Sequence, residues 1–161
     1  LAMGDALAIA LMERKGFGRD DFAVLHPAGS LGKKLMRVKE LMHTGDAIPR
    51  VLESTPMSEV ICEMTAKSLG MTAVTDEQGV LAGVISDGDL RRMLHRSHDP
   101  LKLPAGQVMS RRPKTISPDE LATVALAKME EMKITSLVVV DEAEKVTGVL
   151  HLHDLWRTQL F

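Results

Sequence analysis

Residues 74–90 read VTDEQGVLAGVISDGDL, and residues 139–155 read VVDEAEKVTGVLHLHDL. The two stretches align without a gap, 65 residues apart, and seven of seventeen positions are identical. The matches are Val74 with Val139, Asp76 with Asp141, Glu77 with Glu142, Gly83 with Gly148, Val84 with Val149, Asp89 with Asp154 and Leu90 with Leu155. Composition alone would give roughly one, so the chain carries an internal repeat, and a repeat decides the architecture before any single residue does.

Each copy follows an amphipathic stretch with helical spacing. Before the second, Ser117 is placed to cap and Pro118 to take the first helical position, ahead of Leu121, Val124, Ala125, Met129 and Met132. Before the first, Thr55 and Pro56 stand in the same relation to Met57, Val60, Ile61 and Met64. A short opening ending in Leu41-Met42 or Val108-Met109 precedes each helix. Each unit therefore reads strand, helix, strand, turn, strand, helix. Asp76-Glu77-Gln78-Gly79 is a hairpin loop with glycine at the positive-φ position, and Asp141-Glu142-Ala143-Glu144 repeats it with less suitable residues. Leu137-Val138-Val139-Val140 is a buried strand, and residues 97–100 and 103–106 form a linker between the copies. One unit of about 60 residues is marginal alone. Two units sharing a core predict a pseudo-twofold pair.

Composition narrows the function classes. The apolar fraction is 45% and the charged fraction 26%, ordinary for a globular chain of 161 residues. Twenty basic and 22 acidic residues leave a net charge of −2, without the basic footprint that nucleic acid or an anionic membrane requires. Three Phe, one Trp and no Tyr argue against base stacking on single strands. The one cysteine, Cys62, excludes an intramolecular disulfide and fits a reducing, cytoplasmic compartment. No apolar run approaches 18 residues, and nothing at the start has the pattern of a signal peptide. Residues 1–12 are small or apolar nearly all round, the mark of a helix buried in a larger body, so the chain reads as a piece cut from a longer protein.

The repeats resemble a tandem pair of cystathionine-β-synthase-type (CBS) domains. The signature is Gly, two apolar residues, Ser or Thr, two variable residues, Asp and Leu. The first copy holds it in full in Gly83-Val84-Ile85-Ser86-Asp87-Gly88-Asp89-Leu90. The second departs at His151 in Gly148-Val149-Leu150-His151-Leu152-His153-Asp154-Leu155. In nucleotide-binding members of that family the Asp accepts hydrogen bonds from ribose hydroxyls, and the Ser or Thr at the helix start helps to hold phosphate. A helix start offers free N–H groups to an anion, and a carboxylate can accept two hydroxyls. Ser86 and Asp89 can equally serve only to cap the following helix. Arg91 and Arg92 either reach a phosphate or form a solvated face. His151 and His153 are two residues apart, but no cysteine or third nearby histidine completes a zinc set. Their alternative role is hydrogen bonding to a ligand or to the partner repeat. No metal and no cofactor is expected. The methionines at helical spacing are core filler.

Residues 21–35, DFAVLHPAGSLGKKL, belong to neither repeat. Gly29 and Gly32 are too close for a phosphate loop, and Lys33 is followed by Lys34 rather than Ser or Thr. Together with MGDALAIAL at the start, this stretch resembles the end of a sugar isomerase (SIS) domain. The combination is similar to the D-arabinose 5-phosphate isomerase family, which joins an SIS domain to a CBS pair. Met42-His43-Thr44-Gly45-Asp46, Leu69-Gly70-Met71-Thr72, Ser86–Arg92 and His151–Leu155 extend the likeness over the whole chain, while Ala28 and Ser30 depart from the family's block.

The resemblance implies an α/β (α+β) fold, a tandem CBS-domain pair with pseudo-twofold symmetry, preceded by the helical C-terminal remnant of an SIS domain. The divisions are 1–36, 37–98 and 103–161. It implies a parent enzyme that interconverts D-ribulose 5-phosphate and D-arabinose 5-phosphate for Kdo and lipopolysaccharide synthesis. His26 corresponds to that family's active-site histidine, suited to proton transfer or ring opening. The remaining catalytic groups belong to the SIS core, so this chain alone is expected to be inactive. The CBS cleft is expected to bind a nucleotide or nucleotide-sugar effector such as CMP-Kdo. Asp89 or Asp154 would hold ribose, Ser86, Arg91 or Arg92 phosphate, and His151 and His153 the sugar; Ser54 and Gln107 would line the same cleft. Asp89→Ala is expected to weaken binding while the domain stays folded. The competing readings are an adenosine-nucleotide sensor of another enzyme, a ligand-free association module, and a metalloprotein using His151, His153 and His43. Self-association through the CBS pair and a homotetrameric parent are the expected assembly.

Overall fold

The computed structural model describes residues 10–11, 13–16, 35–96 and 98–158. His26, the 29–34 motif and most of the apolar opening stretch lie outside the described residues. The first repeat contains β1 (Arg50–Leu52), α1 (Met57–Lys67), β2 (Met71–Thr75), β3 (Leu81–Ser86) and α2 (Asp87–Arg96). A short α3 (Ala105–Val108) and β4 (Ser110–Arg111) follow. The second repeat contains β5 (Thr115–Ile116), α4 (Ala122–Met132), β6 (Ser136–Val140), β7 (Val146–His151) and α5 (Leu152–Arg157). The sheets run β1-β2-β3-β4 and β5-β6-β7. In both, the first pair is parallel and the next antiparallel. The architecture is thus the mixed α+β pair that the repeat predicts. Among the described residues no helix is long and apolar enough to cross a membrane.

The repeat is faithful at the level of turns. Met71 pairs with Ser86 and Ser136 with His151, and both hairpins slip register one residue before the end of the first strand. Asp76 Oδ1 accepts from the amides of Gln78 and Val80, each at 2.9 Å. Asp141 Oδ1 does the same for Ala143 and Lys145 at 2.9 Å. This is why both aspartates recur: the side chain imitates a backbone turn. Gly79 takes φ +82°, as its turn requires, and Glu144 accepts φ +59° at the equivalent place. The two turns meet: Leu81 N donates to Glu144 O at 3.0 Å, and Val146 N to Gly79 O at 3.1 Å. These reciprocal bonds lie across the pseudo-twofold axis. Beneath them Ile48, Leu69, Met71, Ala73, Val138, Val140, Val146 and Val149 form one buried cluster from both sheets, the shared core that a pair of small units needs.

The opening segments, however, are exchanged. Val38, in a 3₁₀ turn over Val38–Glu40, is fully buried in the core of the second repeat with Ile116, Leu137 and Leu155. Ala105 and Met109 belong to the core of the first, with Met57, Val60 and Ile85. Strand β4 completes the first sheet beside β3, and His43 makes the equivalent bridge to Val149. The exchange also moves the helix starts. The sequence places Ser117 and Pro118 at the opening of α4, yet the helix begins at Ala122 with Leu121 at its N-cap. The intervening carbonyls receive the strap instead: Val38 N donates to Glu120 O and Lys39 N to Pro118 O, both at 2.9 Å. Similarly Pro56 is the N-cap of α1 rather than its first residue, and Thr55 O accepts from Ala105 N at 2.8 Å.

The signature glycines permit this approach. A Cβ on Gly148 would lie 2.6 Å from Met42 Sδ and 2.9 Å from His43 O. One on Gly83 would lie 2.7 Å from Met109 Sδ and 2.8 Å from Ser110 O. The methionines can move, whereas the carbonyls are fixed by their ladders. Gly148→Ala is therefore expected to cost about 1–3 kcal/mol, read as a fall in melting temperature of about 3–10 °C. Amide exchange in residues 37–43 should rise more than in 105–111, and uniform exchange would argue against a local detachment.

Candidate functional site

Between the repeats lies a cleft of about 980 Å³, open to solvent. Its first wall is the start of α2, where Ser86, Asp89, Arg91 and Arg92 line it. Its second includes His151 and His153 at the start of α5. The floor is made where α1 and α4 end. Ser68 and Lys133 both adopt the left-handed conformation there, with φ of 57° and 54°. These ends sit at matching places in the two repeats, and Ser136 Oγ reaches across to Leu69 O at 3.2 Å. The cleft is thus built from two equivalent helix-end and strand-start corners facing one another.

Asp89 is the most constrained polar group in it. The residue is only 6% exposed, yet it is fully hydrogen-bonded. Oδ2 accepts from Ser86 N at 2.9 Å and Ser86 Oγ at 2.6 Å. Oδ1 accepts from Arg92 at 2.6 Å and from Ser110 Oγ at 2.9 Å. Burial pushes its carboxyl up, but the donors from Ser86, Arg92 and Ser110 outweigh that and hold it below the usual carboxylate value. With Asp89 N donating to Ser86 Oγ at 3.4 Å, the two side chains cap α2 reciprocally. Asp89 therefore already has the capping role that its sequence position allowed, and its two oxygens hold four hydrogen bonds within the chain.

The second signature is built differently. His151 replaces the hydroxyl and still caps: its Nδ1 accepts from His153 N at 3.2 Å, while Asp154 Oδ2 accepts from His151 N at 3.1 Å. Because Nδ1 is an acceptor, the ring keeps its proton on Nε2. Burial, the nearby His153 and, more weakly, His43 push the His151 ring below the usual histidine value, with Asp154 opposing them. His151 and His153 stack, ring centres 5.1 Å apart, and His153 meets Trp156 edge-on at 5.0 Å. Asp154 Oδ2 also lies 3.0 Å from His43 Nε2.

Six of the nine residues expected to bind ligand therefore line the cleft: Ser86, Asp89, Arg91, Arg92, His151 and His153. Three do not. Asp154 is turned toward His43 on the strap. Ser54 and Gln107 belong to the junction of the 53–55 turn with α3, where Gly106 N donates to Glu53 O at 2.9 Å. Docking of α3 onto that turn removes both from the cleft wall, against expectation. Conversely, Lys114, Lys133 and Ser110 line the cleft without having been singled out. Ser110 arrives on the exchanged strap, and the only signal for it was the parallel between Met109-Ser110 and Met42-His43. Among the described residues no group of three or more His, Cys, Asp or Glu side chains is placed to hold a metal ion.

Comparison with known proteins places this arrangement. The chain is 49% identical over 158 residues to arabinose 5-phosphate isomerase KdsD of Pseudomonas aeruginosa, covering 98% of this chain and 48% of that protein. It thus spans about half the length of the curated relatives it matches. Among solved structures, a CBS domain protein of Pyrobaculum aerophilum complexed with AMP superimposes with a TM-score of 0.66 at 26% identity, over 74% of this chain and 89% of that one. The CBS domain pair of protein MJ0100, in complex with 5-methylthioadenosine and S-adenosyl-L-methionine, gives 0.67 at 22% identity over 76% and 94%, a likeness of fold. Residues 38–96 and 105–155 each match the CBS domain. The exchanged straps, the paired hairpins and the signature glycines are thus those of a tandem pair, and the chain belongs to the CBS domain family.

Proposed function

We propose that this chain is the effector-binding CBS pair of an arabinose 5-phosphate isomerase, and that its inter-repeat cleft takes a nucleotide or nucleotide-sugar. The parent would interconvert D-ribulose 5-phosphate and D-arabinose 5-phosphate in Kdo and lipopolysaccharide synthesis, as a cytoplasmic homotetramer. The divisions 1–36, 37–98 and 103–161 would then be the end of the SIS domain and the two CBS units. His26 would serve the parent's active site, and the present chain would have no isomerase activity of its own.

The observation that carries the reading is the composition of the cleft. Arg91, Arg92, Lys114 and Lys133 would offer positive charge to phosphate, Asp89 would offer a hydroxyl acceptor, and the open volume of about 980 Å³ is large enough for a nucleoside phosphate. Relatives in fold were solved with AMP, 5-methylthioadenosine and S-adenosyl-L-methionine, which favours an adenosine ligand. CMP-Kdo, the activated sugar downstream, fits the same chemistry and the pathway. A ligand-free association module is the second reading. Leu94 on α2 and Trp156 on α5, 60% and 52% exposed, support it, being large apolar side chains left at the surface.

Thermal unfolding against AMP, ATP, CMP, Kdo and CMP-Kdo separates these readings. A ligand at 100 times its Kd stabilises by about 2.7 kcal/mol, a rise of about 5–10 °C for a chain of this size. A shift with CMP-Kdo alone supports feedback by a pathway product, and one with adenine nucleotides an energy sensor. Self-association in sedimentation with no shift for any ligand supports the assembly module.

Asp89 gives a second test, and the geometry changes what is expected of it. Asp89→Ala leaves Ser86, Arg92 and Ser110 without their acceptor and removes a cap, so it should cost about 1–3 kcal/mol of stability in addition to weakening binding. Asp89→Asn keeps the shape and should bind a nucleotide about tenfold more weakly while remaining folded. Unchanged affinity in Asp89→Asn would remove Asp89 from the ligand site. The acid arm has a defined sign. The folded carboxyl titrates below its unfolded value, so its stabilisation is complete above the unfolded pKa and is lost as pH falls through the folded one. The melting-temperature gap between the wild type and Asp89→Asn should therefore shrink below about pH 4.

A further inference from the structure

The second signature differs from the first at two matched positions. Where the first repeat places hydroxyls, Ser86 on its own strand end and Ser110 on the strap, the second places imidazoles, His151 and His43. A further imidazole, His153, stacks on His151 with the rings inclined by only 16°. His151 and His153 line the cleft, and Asp154 and His43 stand beside them. A neutral hydroxyl pair is indifferent to pH between 5 and 8, whereas an imidazole cluster is not.

We propose that ligand binding in this cleft is proton-linked: an anionic group, such as a nucleotide phosphate, draws a proton onto the His151–His153 pair and binds more tightly as pH falls from about 8 to 6. The proposal rests on the reading of the cleft as a nucleotide site and names how that site is regulated.

The surroundings decide the direction. With no anion beside it, a proton on His151 Nδ1 would cost the bond from His153 N that caps α5. It would also be repelled by any charge on the stacked His153 and on His43, with Asp154 the one acidic neighbour on the same element. The floor and the facing wall add more cations: Lys133 ends α4, Lys114 precedes β5, and Arg91 and Arg92 project from α2. The acidic residues lining the same cleft are Asp87 and Asp89, and Asp89 is already bound to Arg92. His151 is therefore held neutral until negative charge arrives. A phosphate against the rings reverses the balance, because it is attracted to imidazolium and accepts its N–H groups. Binding then takes up a fraction of a proton, and linkage requires that acid strengthen it.

The test measures Kd for AMP and for CMP at about pH 6, 7 and 8 with the wild type and with the double variant His151→Ser, His153→Gln. Serine restores the residue found at the matched position of the first repeat and is among the best N-caps, so α5 keeps its start. The phosphate's own second ionisation contributes equally to both proteins and cancels in the comparison. The ratio of Kd at pH 8 to Kd at pH 6 should be about three- to tenfold larger in the wild type than in the variant. Equal ratios would overturn the proposal while leaving the nucleotide site in place. Absence of AMP and CMP binding at every pH would remove both. Calorimetry of AMP binding to the wild type at about pH 7, in buffers of different ionisation enthalpy, gives an answer that needs no variant. Net proton uptake is expected, and net release or none counts against the linkage.

Discussion

Val38 and Ala105 are each fully buried, and each is buried in the repeat that its own sequence does not introduce. This exchange is the constraint on which the other features rest. The strap before each repeat supplies backbone donors to the other: Val38 and Lys39 to the turn before α4, Ala105 and Gly106 to the turn before α1. Each strap then runs beside the second hairpin strand, where a signature glycine leaves room for a methionine and a carbonyl. Neither unit can close its sheet or its core alone. Folding and cleft formation are thus one event, because the pairing that completes each core also sets the two helix starts face to face.

The cost of burying so much backbone is met by hydrogen bonds that are reciprocal at every level. Each hairpin turn bonds to the other, each strap bonds to the opposite helix start, and each signature aspartate closes its own helix cap. Among the described residues no buried side-chain polar atom lacks a partner. A buried donor without an acceptor costs about 1–3 kcal/mol, so a pair with this many interrepeat contacts tolerates little local disorder. It can still exchange partners at its rim: Arg92, more than half exposed, holds Asp89 from the solvent side of the cleft.

Symmetry is broken at the chemistry rather than at the frame. Both signatures keep glycine, aspartate and leucine, which serve packing and capping. They diverge in and beside the cleft: Ser86 against His151, Gly88 against His153, Ser110 against His43. One corner of the cleft is therefore a carboxylate surrounded by hydroxyl and guanidinium donors. The other is a stack of imidazoles with its aspartate turned away. A ligand lying across the cleft meets two different surfaces although the backbone beneath them is nearly the same.

Much of this frame is legible from the order of residues. Asp76 and Asp141 and the helical spacing of Met57, Val60 and Met64 act on neighbours a few positions away, so their pattern alone implies hairpins and helices, and the recurrence of Gly83 at Gly148 marks the repeated unit. The likeness at Ser86, Asp89, Arg91, Arg92, His151 and His153 likewise points to residues that do share the cleft. Packing alone decided the rest. Lys39 meets Asp119 across 80 positions, and His43 meets Asp154 across 111. No local preference records such contacts. They exist because a 60-residue unit has too little interior of its own and completes itself with its neighbour's strap. That same closure set α4 to start four residues later than its proline suggested, drew Ser54 and Gln107 into the strap junction, turned Asp154 away from the cleft and brought Ser110 into it.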